Sequence, residues 1–106
     1  MRPRTALAFD YGARRIGIAS GDTLTASVAP RATVRVLESG PDWAAIAREI
    51  RELRPDVLVV GAPYNADGSP SALTAAARAF AAELERRFGL PVHQVDERWS
   101  SLEASA

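Results

Sequence analysis

Apolar residues recur along the chain in short runs that predict a set of strands. Residues 5–9 are almost entirely apolar and predict a buried first strand. Residues 15–20 and 32–37 alternate apolar positions with polar residues or glycine, as in strands with one covered face. Residues 57–60 are continuously aliphatic, which is typical of a strand covered on both faces. Residues 91–95 predict a short last strand.

Two longer segments have the spacing of helices. In the first, apolar residues recur every three or four positions: Trp43, Ile46, Ala47, Ile50 and Leu53. Asp42 favours the start of this helix and Pro55 its end. Residues 71–88 are rich in alanine and predict a second helix, which Gly89 would terminate. A further helix is predicted to begin near Trp99.

The order of these elements predicts one mixed α/β domain over residues 1–106. Three strands joined by short links form an antiparallel meander, and two strand–helix–strand units follow. Right-handed crossovers would then place the later strands beside the first. The predicted sheet order is therefore 3-2-1-4-5, with strand 2 antiparallel to the others.

Composition and charge remove several classes of function. The chain contains no cysteine, which excludes disulfides and thiolate metal sites, and no apolar run is long enough to span a membrane. No signal peptide is recognisable at the N-terminus, so the cytoplasm is the expected compartment. Formal net charge is zero, and every basic residue except His93 is arginine. Arginine suits phosphate because its fork donates two parallel hydrogen bonds, although most arginines would simply be solvated on helix faces.

Candidate chemistry gathers where the parallel strands are predicted to end. Asp10 follows strand 1, the loop 61–68 follows strand 4, and Asp96-Glu97-Arg98 follows strand 5. Ligands of open α/β sheets bind at this rim. Asp10 could instead be a turn cap, the loop a plain connector, and the acidic segment a surface cluster. Two carboxylates brought together from separate strands would need a cation between them, and Mg²⁺ or Mn²⁺ is suitable.

Three segments, taken together and in order, resemble the motifs of the YqgF/RuvX family. They are residues 9–12 with 15–19, residues 59–63 with 67–69, and residues 96–104. The resemblance covers essentially the whole chain. It implies a ribonuclease H-like fold with helices on both faces of the sheet. It also implies metal-dependent hydrolysis of phosphodiester bonds, either in maturing the 5′ end of precursor 16S rRNA or in resolving Holliday junctions.

The resemblance also implies a set of site residues. The predicted catalytic residues are Asp10, Glu97 and Asp96, of which Asp10 and Glu97 would bind Mg²⁺ or Mn²⁺. The predicted substrate-binding residues are Gly12, Arg15, Gly61, Asn65, Asp67, Arg98 and Ser100. Family chains extend further and end in a helix that supplies another carboxylate. That helix is expected to be missing or truncated here, and Glu103 cannot simply be assigned its role.

Three hypotheses of function follow. The first is a nuclease acting on structured RNA or DNA in ribosome biogenesis or recombination. The second is a nucleic-acid-binding or ribosome-associated module with little catalysis, which the missing carboxylate would favour. The third takes Asp10 and Gly12 as part of an ATPase phosphate loop, but such enzymes need two domains of this kind. The predicted partner is precursor rRNA or branched DNA, without a membrane, and the predicted state is a monomer or a homodimer.

Overall fold

A computed structural model describes residues 4–22, 27–62, 69 and 71–96. Within this part of the chain, the predicted strands and helices all form. The elements are β1 Thr5–Tyr11, β2 Arg15–Asp22, β3 Ser27–Leu37, β4 Gly40–Pro41, α1 Trp43–Leu53, β5 Val57–Ala62, α2 Ala72–Phe88 and β6 Val92–Asp96. The helix predicted near Trp99 lies outside the described residues.

The strands form one sheet in the order β4-β3-β2-β1-β5-β6. β2 is antiparallel to both of its neighbours, whereas β5 is parallel to β1 and to β6. The predicted order 3-2-1-4-5 is therefore confirmed, with the short strand β4 added at one edge. Short links can join only antiparallel neighbours, and the two helices serve as the crossovers between parallel strands.

The β2–β3 ribbon extends further than the hydrophobic pattern predicts. β3 begins at residue 27 rather than at residue 32, and the pairing register shifts between Ile18 and Ala19 where Pro30 enters the ladder. Proline has no backbone N–H to donate, so an irregularity at this point is expected. Val28 is 76% exposed, so this part of the ribbon has no buried face to produce an alternating pattern.

Capping residues lie at the helix ends, and Asp42 and Gly89 take the positions predicted from the sequence. Asp42 accepts a hydrogen bond from the backbone N–H of Ala45, over 3.3 Å, at the start of α1. Ser71 and Thr74 form a reciprocal capping box at the start of α2. Gly89 ends α2 in the left-handed conformation, with a φ of 65°. Neither helix in the described residues is long and apolar enough to cross a membrane.

Both helices pack on the same face of the sheet, around Phe80 of α2. The Phe80 ring lies 5.5 Å from that of Phe9, 5.2 Å from that of Tyr11 and 5.3 Å from that of Trp43. Because Phe9 and Tyr11 belong to β1 and Trp43 begins α1, these contacts join the sheet and both helices. The expectation of helices on both faces is thus not met within the described residues, where the opposite face carries no helix.

We expect Phe80→Ala to lower the free energy of unfolding by about 3–5 kcal/mol, because it opens a cavity where three elements meet. The matched variant is Phe88→Ala, which removes a partly exposed ring that lies 6.4 Å from the ring of Trp43. Urea denaturation would measure the free energy of unfolding of both variants. Equal losses in the two variants would contradict the central position of Phe80.

A cluster of charges lies on the exposed side of α2. Glu83 accepts hydrogen bonds from Nε of Arg86 at 2.9 Å and from Nε of Arg87 at 2.7 Å. These bonds lower the pKa of Glu83 from 4.5 to about 2. Arg87 also lies over the Trp43 ring, with its guanidinium carbon 4.4 Å from the ring centre. The cluster therefore connects the surface of α2 to the start of α1.

This lowered pKa predicts a pH-dependent contribution to stability. A carboxylate with a lower pKa in the folded state stabilises the fold above its unfolded pKa and loses that effect as the pH falls. We expect the stability difference between the wild type and Glu83→Gln to be constant above about pH 5.5 and to shrink between pH 4.5 and about 2. Thermal unfolding at a series of pH values would measure it. A difference that grows on acidification would contradict the assignment.

Candidate active site

Asp10 lies in the open face of the sheet, between two glycines. It is the penultimate residue of β1, and it pairs with Gly17 of β2 on one side and with Gly61 of β5 on the other. Phe9 and Tyr11 point towards the helices, so strand alternation directs Asp10 to the opposite face. Glycines have no side chains, and the Asp10 carboxylate is therefore exposed at the bottom of an open space.

The space around Asp10 is a cavity of about 650 Å³. Its floor is made of small residues, which include Ala8, Gly17, Ala19, Ala32 and Gly61. Val95 of β6 and Thr33 of β3 stand at its two sides. The cavity therefore crosses the sheet close to the carboxyl ends of β1, β5 and β6, where open α/β sheets bind ligands.

The turn-cap interpretation of Asp10 does not agree with the geometry. Asp10 lies within β1 rather than after it, and its carboxylate has no hydrogen-bond or ion-pair partner among the described residues. The hairpin turn that follows depends on Gly12 instead. A Cβ atom on Gly12 would lie 2.6 Å from the carbonyl oxygen of Arg15, which is closer than the backbone allows. Asp10 is therefore an exposed strand residue rather than part of the turn.

The described residues bring some of the predicted site together. Gly61 pairs with Asp10 and with Val95, and the backbone of Asp96 pairs with that of Ala62 at the same rim. The following predicted site residues lie outside the described part of the chain: Asn65, Asp67, Glu97, Arg98 and Ser100. Glu103 and Trp99 lie outside it as well. In residues 4–22, 27–62, 69 and 71–96, no three His, Asp or Glu side chains gather as they would around a metal ion.

Arg15 lies two residues from Gly17 along β2 and therefore on the same face of the sheet. It lines a second cavity, which adjoins the first. It begins β2 and pairs directly with Arg35 of β3, and both residues are exposed. Together with Arg14 of the hairpin turn, they line a cavity of about 470 Å³. Thr33 lines this cavity and also the one that contains Asp10. Arg14, Thr33 and Arg35 are not among the site residues predicted from the sequence, although the alternation of residues 33–36 places Arg35 on a strand.

Comparison with known proteins identifies the family. A family model described as "RuvX: Holliday junction resolvase" matches residues 4–106. The chain belongs to the RuvX family. A relative from Edwardsiella ictaluri (strain 93-146), named "Putative pre-16S rRNA nuclease", is 48% identical over 106 residues, which are 100% of this chain and 76% of the relative. Both names describe nucleases, so the RuvX family is a family of phosphodiester-cleaving enzymes, as the sequence motifs predicted.

Solved structures share the fold of this RuvX chain at low sequence identity. Archaeoglobus fulgidus Pelota is similar with a TM-score of 0.59 and 15% identity, over 91% of this chain and 27% of that protein. RuvC from T. thermophilus, solved in complex with a Holliday junction substrate, has a TM-score of 0.55 and 13% identity, over 88% of this chain and 63% of RuvC. These likenesses support the ribonuclease H-like fold, and at such identities they carry no further argument.

Substitution by alanine should affect stability differently at Gly17, which lies beside Asp10, and at Gly12, which lies in the turn. We expect Gly12→Ala to lower the free energy of unfolding by about 1–3 kcal/mol, because the added methyl group collides with backbone. Gly17→Ala places its Cβ at an ordinary 3.7 Å from Cβ of Asp10. We expect that change to alter stability by less than about 1 kcal/mol. Denaturant unfolding of both variants is the measurement, and a larger loss for Gly17→Ala would overturn the comparison.

Proposed function

We propose that this RuvX-family chain is a metal-dependent endonuclease of structured nucleic acid, and that its substrate is precursor 16S rRNA. The observation that carries the proposal is the position of Asp10. It is an exposed carboxylate without a partner among the described residues, set between Gly17 and Gly61 in a cavity at the carboxyl ends of parallel strands. Membership of a nuclease family supplies the reaction class.

The chemistry of Asp10 fits a hard divalent cation. Mg²⁺ and Mn²⁺ prefer carboxylate oxygens and retain several waters, so one or two protein carboxylates suffice to hold them. The small residues beside Asp10 leave room for such a hydrated ion and for a phosphate group. When bound, a divalent cation would polarise the phosphodiester and favour a nucleophilic water. In this proposal Asp10 holds the cation, and the glycines let the nucleic-acid backbone approach the sheet.

The second carboxylate of the proposed site is Glu97. The resemblance of Asp96-Glu97-Arg98 to the acidic motif of the family favours Glu97, rather than Asp96, as the partner of Asp10. Asp96 remains a candidate catalytic residue. Gly12, Arg15, Gly61, Asn65, Asp67, Arg98 and Ser100 remain candidates for substrate contact.

The relatives' name favours RNA, whereas the family description favours branched DNA. The Edwardsiella ictaluri relative, 48% identical, is named for pre-16S rRNA. The family model is described as a Holliday junction resolvase, which makes junction resolution the second candidate function. We prefer the RNA substrate because the name of a relative that matches the full chain is more specific than a description of the whole family.

We expect Asp10→Asn to reduce cleavage of a labelled precursor 16S rRNA fragment by at least about 100-fold, since the amide keeps the shape but is a weak metal ligand. Reactions would contain Mg²⁺ or Mn²⁺, with EDTA as the blank. The matched control is Glu85→Gln, which removes an exposed carboxylate from α2, on the other side of the sheet. That variant should cleave like the wild type.

A four-way DNA junction in a parallel reaction decides between the two substrates. Cleavage of the junction but not of the rRNA fragment would replace the first function with the second. Cleavage that survives Asp10→Asn would overturn the site assignment. Binding of either nucleic acid without cleavage, in every condition, would show a catalytically weak binding module instead of a nuclease.

A further inference from the structure

Three arginines form a positively charged edge beside the Asp10 cavity. Arg14 lies in the β1–β2 turn, Arg15 begins β2, and Arg35 is the β3 residue that pairs with Arg15. All three are exposed and line one cavity of about 470 Å³. We call Arg14, Arg15 and Arg35 the arginine edge. The backbone fixes its shape, because the N–H of Val36 donates to the carbonyl of Arg14 over 2.9 Å.

The pairing within the arginine edge is unfavourable for stability. Like charges directly opposite each other on antiparallel strands destabilise a sheet. Three other arginines form ion pairs with carboxylates: Arg31 contacts Glu49 at 2.8 Å, and Arg86 and Arg87 both contact Glu83. Within the described residues, no carboxylate forms an ion pair with the arginine edge. An anion from outside this part of the chain would relieve the repulsion.

The arginine edge lies close to Asp10 on the same face of the sheet. Thr33 lines both cavities, so the two cavities adjoin at this residue. At about 3.3 Å per residue along a strand and about 4.8 Å between strands, Cα of Arg15 lies about 8 Å from Cα of Asp10, and that of Arg35 about 12 Å. An extended arginine side chain can span much of these distances, so the arginine edge can reach phosphates next to one that Asp10 reaches through a cation.

We propose that the arginine edge binds the phosphodiester backbone of the substrate, at phosphates next to the one positioned at Asp10. The proposal rests on the proposed function, because it takes nucleic acid as the substrate. Arginine forks match phosphate oxygens through two parallel hydrogen bonds, and a polyanion supplies several such groups at once. Contacts of this kind fix the register of a strand without reading its sequence. The arginine edge therefore determines which phosphate reaches Asp10.

The first test measures binding without cleavage. The wild-type protein and the variants Arg14→Ala, Arg15→Ala and Arg35→Ala are titrated in EDTA against a fluorescent precursor 16S rRNA fragment and a four-way DNA junction, at several salt concentrations. Each phosphate contact contributes about 0.7–0.9 to the slope of log affinity against log salt. We expect each variant to lose about one contact from this slope and to bind several-fold more weakly. The matched control is Arg48→Ala, an exposed arginine of α1 on the other face, which should bind like the wild type.

The second test separates binding from folding. Arg35→Glu places a carboxylate opposite Arg15, which turns a repulsive cross-strand pair into an attractive one. We expect its melting temperature to rise while its affinity for nucleic acid falls. A residue with only a structural role would not move these two quantities in opposite directions. Arg48→Glu is the control for the general effect of charge reversal.

The outcomes distinguish this inference from the proposed function. If the wild type binds nucleic acid with a salt-dependent affinity and the arginine variants match Arg48→Ala, the inference is wrong and the proposed function stands. If the wild type binds neither the rRNA fragment nor the DNA junction, both the inference and the proposed function are wrong. Loss of affinity without a change in the salt slope also overturns the inference, because it would mean that no phosphate contact was removed. If only one probe responds to the variants, that nucleic acid is the one held at the arginine edge.

Discussion

The packing of aromatic rings around Phe80 decides which face of the sheet is available for chemistry. Phe9 and Tyr11 from β1, Trp43 from α1 and Phe80 from α2 meet at one point, and this contact places both described helices on the same side. Side chains alternate along a strand, so the positions of Phe9 and Tyr11 force Asp10 to the opposite side. Because the rings of Phe9 and Tyr11 pack against the helix side, the carboxylate of Asp10 is exposed on the other side.

Small residues on the open face then convert an exposed position into a cavity. Asp10 has glycine on both neighbouring strands, and alanines occupy much of the surrounding floor. Larger side chains at these positions would cover more apolar surface, but they would also fill the space that a hydrated cation and a phosphate need. The glycine of the turn has a different role. Gly12 allows the hairpin to close against the Arg15 carbonyl, where a Cβ atom would collide with backbone.

Charge is distributed over the two sides of the sheet in different ways. On the helix side, Glu83 compensates Arg86 and Arg87, and the resulting hydrogen bonds hold the pKa of Glu83 near 2. On the open side, Arg15 and Arg35 face each other with no compensating carboxylate among the described residues. The chain therefore has a local positive charge at the arginine edge, beside the exposed Asp10, although its formal net charge is zero. In the proposed nuclease, such an edge would attract the substrate backbone, while a cation at the aspartate would neutralise the reacting phosphate.

The sequence by itself determined the elements, their order and the family. Strong local signals carried this information: the apolar runs, the cap Asp42, the stop at Gly89, and motifs containing Asp10 and Gly61. Sequence also placed Asp10 and Gly61 at the end of neighbouring strands. It could not decide that Asp10 lies within β1 rather than in a turn, nor that β3 begins at residue 27, because exposed strand residues leave no periodic signal. The pairing of Arg15 with Arg35 and the packing of both helices on one face also required the tertiary structure. Both depend on register and on contacts between residues distant in the chain, which no local pattern encodes.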